Sequence, residues 1–372
     1  MVKNTYETLG DRAPKPCAIG DAHGVAMAFT EPGTTVTPFP FQHPELLDNE
    51  IRIHVTHAGL CHSDIFVSTL GWGENVNFPL VPGHEIVGVV EKVGERVSRF
   101  HVGDRVGFGV WRECCEQYES CRECRNGFDN LCPKAKLTYD PYFGGYATSF
   151  QAHASHFYKI SDDFPGQAAP LFCAGLTVFS PLNTHMRAGM KVGVVGVGGL
   201  GHLGLKFARA MGAEVTAIST NPHKIEEAKS FGAHHFLNSR DEQQMKEAAN
   251  SFDFILDTAI QINIDQDCKL IKPRGILNIV GLPDARENLN FNLFTILGKN
   301  INLTANPVGS RWEGDQMLEF CRVHDVYPLV EEYKFADCQA AVNSLAHGVP
   351  HYPKFRNVME TASFMETFTP SK

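Results

Sequence analysis

The sequence predicts an α/β protein with two domains, one mainly β and the other built on a doubly wound parallel sheet. A chain of 372 residues is too long for one ordinary hydrophobic core. Its first part contains short β-rich runs, such as 50–57 and 85–93, between Gly and Pro turns. From about Lys191, hydrophobic runs alternate with helical patterns, which is the order that forms a parallel sheet. We therefore expect domain segments at 1–168, 169–309 and 310–372, with the last segment returning to the first domain.

The composition disfavours several classes of protein. The formal charge is −9, whereas nucleic-acid binders need clustered Lys and Arg to neutralise phosphates, so a small-molecule partner fits better. No apolar run approaches membrane-spanning length, and residues 1–16 have neither a signal-peptide nor a transit-peptide pattern. We expect a cytoplasmic protein without a membrane or nucleic-acid partner. Residues 359–372 have the composition of a loosely held tail.

A glycine-rich loop follows the first apolar run of the second domain. Gly196, Gly198, Gly199, Leu200 and Gly201 lie between this run and a helical pattern. Glycines at this place allow a tight turn and let the backbone approach a pyrophosphate at a helix N-terminus. The alternative is a turn that merely requires small residues. The flanking strand and helix patterns favour a dinucleotide site.

The next strand, predicted over 214–220, carries the residues that distinguish NAD from NADP. A carboxylate at its end would bind the ribose 2′-hydroxyl of NAD and repel a 2′-phosphate. This strand ends instead in Ser219, Thr220 and Asn221, and Lys224 follows. Hydroxyl groups and a cation suit a phosphate, which predicts NADP(H). Alternatively, these residues only cap the next helix.

Eleven cysteines in a cytoplasmic chain indicate metal or redox chemistry rather than disulfides. Cys61 and His84 follow predicted strands about 20 residues apart, and Cys173 precedes the second domain. A catalytic zinc needs three protein ligands and one open position, which these residues supply together. A lone Cys or His is more often a packed core residue than a ligand, so the prediction depends on the combination.

A second cysteine cluster lies on a turn-rich segment. Cys121, Cys124 and Cys132 have the spacing of a zinc loop, and Cys115 is the natural fourth ligand. Four thiolates without an open position form a structural zinc site. The alternative is a redox-active Cys-x-x-Cys, which normally lies beside a βαβ pattern that this segment lacks.

The cysteine, histidine and glycine motifs together resemble those of a known family. The chain is similar to the zinc-dependent medium-chain dehydrogenase/reductase superfamily, and within it to the cinnamyl-alcohol-dehydrogenase-like branch. The motifs that carry the resemblance are Gly59-Leu-Cys61-His62-Ser63-Asp64, Val81-Pro-Gly83-His84-Glu85-Ile-Val-Gly88, Gly103-Asp104-Arg105-Val106-Gly107, the cysteine loop, Cys173-Ala-Gly-Leu-Thr177, the glycine loop and Ser219-Thr220-x-Pro222-x-Lys224. They span most of the chain in the expected order.

The resemblance implies a GroES-like catalytic domain, an inserted Rossmann domain and a homodimer joined through the Rossmann sheets. It also implies roles for five further residues. Glu85 matches a transient fourth zinc ligand, Asp64 a partner that orients His84, and Ser63 the hydroxyl that takes the alcohol proton. Thr177 matches a nicotinamide contact, and Trp72 matches a wall of the substrate pocket.

The sequence departs from the family pattern at two places. About three residues are inserted between the first and second cysteines of the zinc loop, which leaves the choice between Cys114 and Cys115 open. The family's proton-relay histidine, five residues after Cys61, is Phe66 in this chain, and Phe66 cannot transfer a proton. We therefore place Phe66 in the substrate pocket and expect water or another side chain to complete the relay.

The function implied is hydride transfer between NADP(H) and a primary alcohol/aldehyde pair, aromatic or medium-chain, with catalytic and structural zinc. One alternative is a secondary-alcohol or polyol dehydrogenase on the same scaffold. Another is a non-catalytic zinc protein that binds NADPH as a sensor. A sensor needs no open metal position, which argues against that alternative.

Overall fold

The computed structural model is a mixed α/β structure that divides into two compact units. It describes residues 3–117, 119–285, 288–362 and 364. Unit 1 contains Met1–Cys173, Ser310–Trp312 and Leu329–Lys372, and unit 2 contains Ala174–Gly309 and Glu313–Pro328. The domain limits expected at 168 and 309 remain a prediction, and 313–328 lie in unit 2. Among the described residues, no helix is long and apolar enough to span a bilayer.

The longest strands belong to the two main sheets. In chain order they are β1 (Lys3–Asn4), β2 (Lys15–Pro16), β3 (Gly24–Ala28), β4 (Thr37–Gln42), β5 (Glu50–Leu60), β6 (Asn77–Phe78), β7 (Ile86–Val93), β8 (Arg105–Phe108), β9 (Trp111–Glu113), β10 (Lys136–Leu137), β11 (Ser149–His153), β12 (Phe157–Lys159), β13 (Lys191–Val195), β14 (Glu214–Ser219), β15 (His235–Asn238), β16 (Phe252–Asp257), β17 (Ile271–Ile279), β18 (Asn302–Ala305), β19 (Val330–Lys334) and β20 (Arg356–Glu360).

The longer helices all follow Cys173. In chain order the helices are α1 (Thr5–Leu9), α2 (His62–Ser68), α3 (Arg122–Arg125), α4 (Ala174–His185), α5 (Gly201–Ala210), α6 (Ile225–Ser230), α7 (Glu242–Glu247), α8 (Ile264–Leu270), α9 (Leu293–Leu297), α10 (Arg311–His324) and α11 (Cys338–His347). Short 3₁₀ turns connect them at Gly10–Arg12, Ile19–Asp21, Asp129–Leu131, Ala154–His156, Gly166–Phe172, Pro222–Lys224 and Phe335–Asp337.

Unit 1 is organised around a sheet in the order β12-β8-β7-β5-β20-β19, with β11 also paired to β5. Its pairs are antiparallel except β19–β20, which is parallel. The core contains an aromatic group in which the Phe108 ring lies 4.7 Å from Phe150 and 4.6 Å from Phe157, at edge-to-face angles. Such pairs stabilise a core beyond the area they bury.

Unit 2 contains the doubly wound sheet that the alternating pattern predicts. Its order is β15-β14-β13-β16-β17-β18, and every pair is parallel. The strand order reverses at β13, and ligands bind beyond the carboxyl ends of the strands at such a point. The rings of Phe179, Phe207 and Phe320 lie 5.3–5.9 Å apart and hold α4, α5 and α10 together.

The prediction of a loosely held tail at 359–372 was wrong for its first two residues. Met359 and Glu360 belong to β20, where Met359 is fully buried and pairs with Ala58. The sheet therefore fixes residues that the composition placed in a loose tail. Residue 363 and residues 365–372 lie outside the described residues.

Two carboxyl groups are buried together in unit 2. Asp257 ends β16 and is fully buried, and Asp267 in α8 is 5% exposed. Burial and the negative charge of Asp257 raise the pKa of Asp267 to about 9. The folded protein thus holds a proton that an unfolded chain releases near pH 4. This contribution to stability is complete below pH 4 and is lost as the pH rises through about 9.

We expect Asp267→Asn to reduce the pH dependence of stability. Asn keeps the shape of the neutral acid but has no proton to lose. Urea unfolding between pH 6 and 9 should show the wild type losing stability relative to the variant, by up to about 1.4 kcal/mol per pH unit. Glu242→Gln, at a side chain that is 90% exposed, is the control and should follow the wild type. Parallel curves for wild type and Asp267→Asn would contradict the prediction.

Candidate functional site

Four side chains with metal-binding atoms meet in unit 1. The ligand atoms of Cys61, His84, Glu85 and Cys173 all lie within 4.8 Å of one another, and all four residues are buried. Cys61 lies between β5 and α2, and His84 and Glu85 immediately precede β7. Cys173 follows the 3₁₀ turn Gly166–Phe172. The structure thus brings together the three predicted catalytic ligands and the predicted transient ligand.

Asp64 organises this cluster from the first turn of α2. The side chain is fully buried and accepts hydrogen bonds from the backbone N–H groups of Cys61 (2.9 Å) and Gly83 (3.2 Å). It also accepts from the Tyr146 hydroxyl (3.0 Å) and lies 3.1 Å from His84 Nδ1. Because Nδ1 is held by the carboxylate, His84 Nε2 is left as the ligand atom.

The electrostatics favour the charged forms of Cys61 and His84. A hydrogen bond with Cys173 lowers the pKa of Cys61 well below its usual value, and the Arg356 charge lowers it further, although burial opposes both. Burial by itself would lower the pKa of His84, but the charge and hydrogen bond of Asp64 raise it to about 10. A thiolate is the form of cysteine that binds metals, whereas His84 binds a metal only after Nε2 releases its proton.

Glu85 has one bonded oxygen and one unbonded oxygen. Its Oε1 forms an ion pair with Arg356 Nη2 from β20, and Arg356 Nη1 lies 3.9 Å from Cys61 Sγ. The buried Oε2 has no hydrogen-bond partner among the residues that the structure describes. A Cβ at Gly59 would lie 2.0 Å from this oxygen, so only glycine fits there. Two thiols, an imidazole nitrogen and an unsatisfied carboxylate oxygen suit a divalent ion such as zinc.

The predicted proton-transfer and pocket residues lie on and beside α2. Ser63 is half-buried, and its Oγ lies 3.5 Å from Cys61 Sγ. The Phe66 ring stacks on Trp72 with centroids 5.6 Å apart and an interplanar angle of 22°. Phe66, in the second half of α2, and Trp72, beyond the end of this helix, therefore form one apolar surface.

The second cysteine cluster also forms within unit 1. The sulfur atoms of Cys115, Cys121, Cys124 and Cys132 lie within 4.8 Å of one another. The backbone N–H of Lys134 donates to Cys132 Sγ (3.4 Å), and that of Gln117 donates to Cys115 Sγ (3.5 Å). Four thiols around one point, with backbone donors behind them, suit a closed tetrahedral zinc site. Cys115 belongs to this group, and Cys114 does not.

The glycine loop of unit 2 connects β13 to α5. Gly196 has a φ of 88°, and a Cβ at Gly201 would lie 1.8 Å from the Gly196 carbonyl oxygen, so both positions require glycine. A Cβ at Gly198 would meet nothing within 4 Å, which leaves open space beside the backbone. Leu200 precedes the first residue of α5. This is the arrangement in which a helix N-terminus receives a pyrophosphate.

The residues predicted to select NADP form a turn after β14. Ser219 Oγ accepts from the Asn221 N–H (3.2 Å), and the Asn221 side chain caps the next 3₁₀ turn by accepting from His223 N–H (3.0 Å). Lys224 Nζ donates to the Val197 carbonyl in the glycine loop (2.8 Å). Asn221 therefore performs the capping role that was the alternative, while Lys224 brings a positive charge to the loop. Thr177 lies in α4 and is 7% exposed.

Comparison with known proteins places both units in one family. Residues 47–162 match the family model of the alcohol dehydrogenase GroES-like domain, and residues 199–322 match that of zinc-binding dehydrogenases. An aldehyde reductase of Synechocystis sp. is 37% identical over 333 residues, covering 88% of this chain and 96% of that protein. The chain belongs to the zinc-dependent alcohol dehydrogenases.

Further relatives identify the branch of the family to which this zinc-dependent dehydrogenase belongs. Cinnamyl alcohol dehydrogenase 7 of Arabidopsis thaliana is 37% identical, covering 89% of this chain and 94% of that one. The solved structure of a Sorghum bicolor cinnamyl alcohol dehydrogenase matches with a TM-score of 0.85 and 33% identity, over 91% of this chain and 97% of that one. A Helicobacter pylori relative solved with NADP(H) has a TM-score of 0.82 and 30% identity, with the same coverage. The predicted superfamily, its cinnamyl-alcohol-dehydrogenase-like branch and the fold class are confirmed.

Arg356 and Tyr146 were not predicted from the sequence. Arg356 reaches Glu85 because β20 pairs with β5 across about 300 residues of chain. Tyr146 reaches Asp64 from a segment outside any regular element. Neither residue lies in a local motif, so only the tertiary structure reveals these contacts.

We expect Asp64→Asn to weaken zinc binding at Cys61, His84 and Cys173 by about 10–100-fold, because His84 loses the charged partner that orients it. Zinc retained against increasing concentrations of a chelator, measured by mass spectrometry, tests this. Asp104→Asn removes a carboxylate that pairs with Lys159 elsewhere in unit 1 and is the matched control. Equal retention by the wild type and both variants would exclude the assigned role of Asp64.

Proposed function

We propose that the chain catalyses hydride transfer between NADP(H) and a primary alcohol/aldehyde pair, with zinc held by Cys61, His84 and Cys173. The observation that carries the proposal is the buried ligand group of unit 1, with the buried Asp64 carboxylate beside His84 Nδ1. A bound zinc ion at these ligands would polarise the carbonyl of an aldehyde. The relative named aldehyde reductase supports this substrate class.

The chain's own residues supply position and proton transfer. Asp64 keeps His84 in the tautomer whose Nε2 faces the ligand group. Ser63 exchanges a proton with the substrate oxygen, and the stacked rings of Phe66 and Trp72 exclude water from one side of the substrate. Since Phe66 cannot carry the proton onward, water or another side chain completes the path to solvent. Glu85 is the proposed transient ligand, through the oxygen that Arg356 leaves unbonded.

The cofactor proposal rests on unit 2. The glycine loop receives the pyrophosphate, and Thr177 contacts the nicotinamide. Ser219, Thr220, Asn221 and Lys224 surround the 2′-phosphate, because the turn after β14 offers hydroxyl groups and a cation and no carboxylate at its end. The Helicobacter pylori relative was solved with NADP(H), which supports the same choice. The structural zinc belongs to Cys115, Cys121, Cys124 and Cys132.

Aromatic or medium-chain aldehydes fit the apolar surface of Phe66 and Trp72 best. The second candidate is polyol oxidation, because several relatives are named probable mannitol dehydrogenases, including one from Fragaria ananassa at 40% identity over 80% of this chain. A polyol needs several hydrogen-bonding groups in its pocket, and the stacked rings contain a single one, the indole N–H of Trp72. We therefore favour the aldehydes.

We also propose a homodimer in the cytoplasm, formed through unit 2. The strand β18 lies at the end of its sheet, and Leu303 on it is 37% exposed. Leu293, Phe294 and Leu297 of the neighbouring helix α9 are 58%, 79% and 62% exposed. An open strand edge beside exposed apolar side chains is the surface that pairing with a second copy would cover.

An assay of NADPH oxidation with a panel of carbonyl compounds tests the main proposal. We expect aromatic and medium-chain aldehydes to be reduced faster than ketones or ketoses. A chelator should abolish the activity, and added zinc should restore it. Faster reduction of a ketose would favour the polyol dehydrogenase. Binding of NADPH and zinc without reduction of any substrate would indicate the sensor.

Ser219→Asp tests the choice of cofactor. A carboxylate beside the 2′-phosphate should raise the KM for NADPH at least about tenfold by like-charge repulsion, with little effect on the KM for NADH. Ser219→Ala removes the hydroxyl without adding charge and should have a smaller effect. An unchanged KM for NADPH in Ser219→Asp would place the 2′-phosphate elsewhere.

Phe294→Asp tests the dimer. A charge in the exposed apolar group of α9 should shift the protein from dimer to monomer in analytical ultracentrifugation, because the charge would lose its water in the interface. Val323→Asp, at another apolar residue of unit 2 that is 58% exposed, should sediment as the wild type. A monomeric wild type, or a variant that stays dimeric, would show that α9 is not the interface.

A further inference from the structure

A third group of metal-binding side chains lies in unit 1, beside the four-cysteine cluster, where Cys114 also contacts Cys124. The ligand atoms of Cys114, Glu116 and His156 lie within 4.8 Å of one another. Cys114 and Glu116 follow β9, and His156 ends the 3₁₀ turn Ala154–His156. The group shares no residue with the four-cysteine cluster or with the cluster around His84. It therefore combines a thiol, a carboxylate and an imidazole that neither site uses.

The imidazole of His156 is the strongest indication of a ligand. The side chain is 2% exposed, and its Nδ1 lies 3.0 Å from the Trp111 carbonyl, to which it donates. The lone pair is consequently on Nε2, which is buried and has no hydrogen-bond partner within the described parts of the chain. Nε2 lies 3.8 Å from Glu116 Oε1. A histidine fixed at one nitrogen by a backbone carbonyl, with the other nitrogen directed at a carboxylate, is the arrangement found in metal ligands.

The carboxylate of Glu116 is held in place by its surroundings. His153 Nε2 lies 3.3 Å from Oε2, and the Ser155 hydroxyl donates to Oε1. The Ser155 N–H donates to His153 Nδ1 (3.2 Å), so Nε2 carries the proton that faces Glu116. Glu116 also has a φ of 51°, in the left-handed region that a non-glycine residue rarely occupies. The chain thus maintains an unfavourable backbone conformation that presents this carboxylate to His156.

Arg311 balances the charges of the group without a metal. Its Nη1 lies 3.3 Å from Glu116 Oε1, and its Nη2 lies 3.7 Å from Cys114 Sγ. The Arg311 Nε and backbone N–H also bond to Asp129, at 3.0 and 3.2 Å. Arg311 therefore keeps a carboxylate partner of its own when a cation arrives. A divalent ion, one thiolate, one carboxylate and one neutral imidazole sum to zero charge, which limits the cost of burial.

We propose that Cys114, Glu116 and His156 bind a third metal ion, a divalent ion of the zinc class. The combination of one sulfur, one nitrogen and one oxygen donor suits zinc rather than magnesium or calcium, which prefer oxygen ligands alone. The ion would connect the segment after β9 to the turn before β12. This connection lies beside Cys115. It would hold in place the start of the segment between Cys115 and Cys121, which is about three residues longer than in the family pattern.

Metal content of the full-length protein tests the inference. After saturation with Zn²⁺ and removal of free metal, we expect about three zinc ions per chain in the wild type. His156→Asn and Glu116→Gln should each lower this to about two, because Asn can still donate to the Trp111 carbonyl but offers no ligand nitrogen. Glu119→Gln, at an exposed carboxylate of the same loop, is the control and should match the wild type. About two zinc ions in the wild type would overturn the inference.

Replacement of zinc by ¹¹³Cd gives a test on the wild-type protein, which holds even if the His156 and Glu116 variants fail to fold. The NMR spectrum of the wild type should contain a resonance for a site with one thiolate, besides those for sites with two and with four thiolates. Cys114→Ser should shift or remove only the first of these. Loss of the four-thiolate resonance in Cys114→Ser would instead make Cys114 a ligand of the structural zinc and overturn the inference.

The test for a third metal ion does not depend on the proposed reaction. Aldehyde reduction by a protein with only two metal sites would exclude the third site and leave the enzyme proposal intact. A third site in a protein that reduces no carbonyl compound would do the reverse.

Discussion

The buried carboxylate of Asp64 is the interaction on which the metal-binding part of unit 1 depends. It bonds to the backbone at Cys61 and Gly83 and to the side chains of His84 and Tyr146. These groups come from the end of β5, the approach to β7 and a later loop. A fully buried charge is costly unless such hydrogen bonds satisfy it, and the same bonds fix the positions of the ligands. The burial of Asp64 and the geometry of the site therefore have one physical origin.

Close packing at glycine positions adds a second constraint on the ligands. A Cβ at Gly107 would lie 1.8 Å from the Phe172 ring, and a Cβ at Gly109 would lie 2.7 Å from the Phe172 carbonyl oxygen. Phe172 precedes Cys173, so the absence of side chains at these glycines sets how closely Cys173 approaches the sheet. Gly59 gives Glu85 its place in the same way. Two features thus determine the ligand positions. One is the hydrogen-bonded carboxylate of Asp64, and the other is the direct contact of the glycine backbone with the side chains of Phe172 and Glu85.

Charge compensation is the feature that the three metal-binding groups share. Arg356 accompanies Glu85, Arg311 accompanies Glu116, and backbone N–H groups face the sulfurs of the four-cysteine cluster. In each group a donor partly neutralises the anionic ligands, which would otherwise repel one another when no metal is bound. Glu116 differs from Glu85 because it lies on the zinc loop, which is about three residues longer than the family pattern.

The sequence alone was sufficient for the local features. The spacing of Cys121, Cys124 and Cys132 and the glycines from Gly196 to Gly201 carry a chemical requirement within a few residues, so they predict their sites without knowledge of the fold. The alternation of strands and helices likewise predicts the parallel sheet of unit 2. Such features depend on interactions between near neighbours in the chain, which a sequence displays directly.

The tertiary structure decided the contacts between distant segments. The choice of Cys115 over Cys114 in the four-sulfur group, the pairing of Glu85 with Arg356 and the approach of His156 to Glu116 follow from strand pairing and turn geometry. So does the burial of Met359 in β20, where composition alone indicated a loose end. The sequence therefore determined which chemistry this chain carries. The fold determined which side chains meet, because long-range pairing brings together residues whose separation along the chain contains no record of their contact.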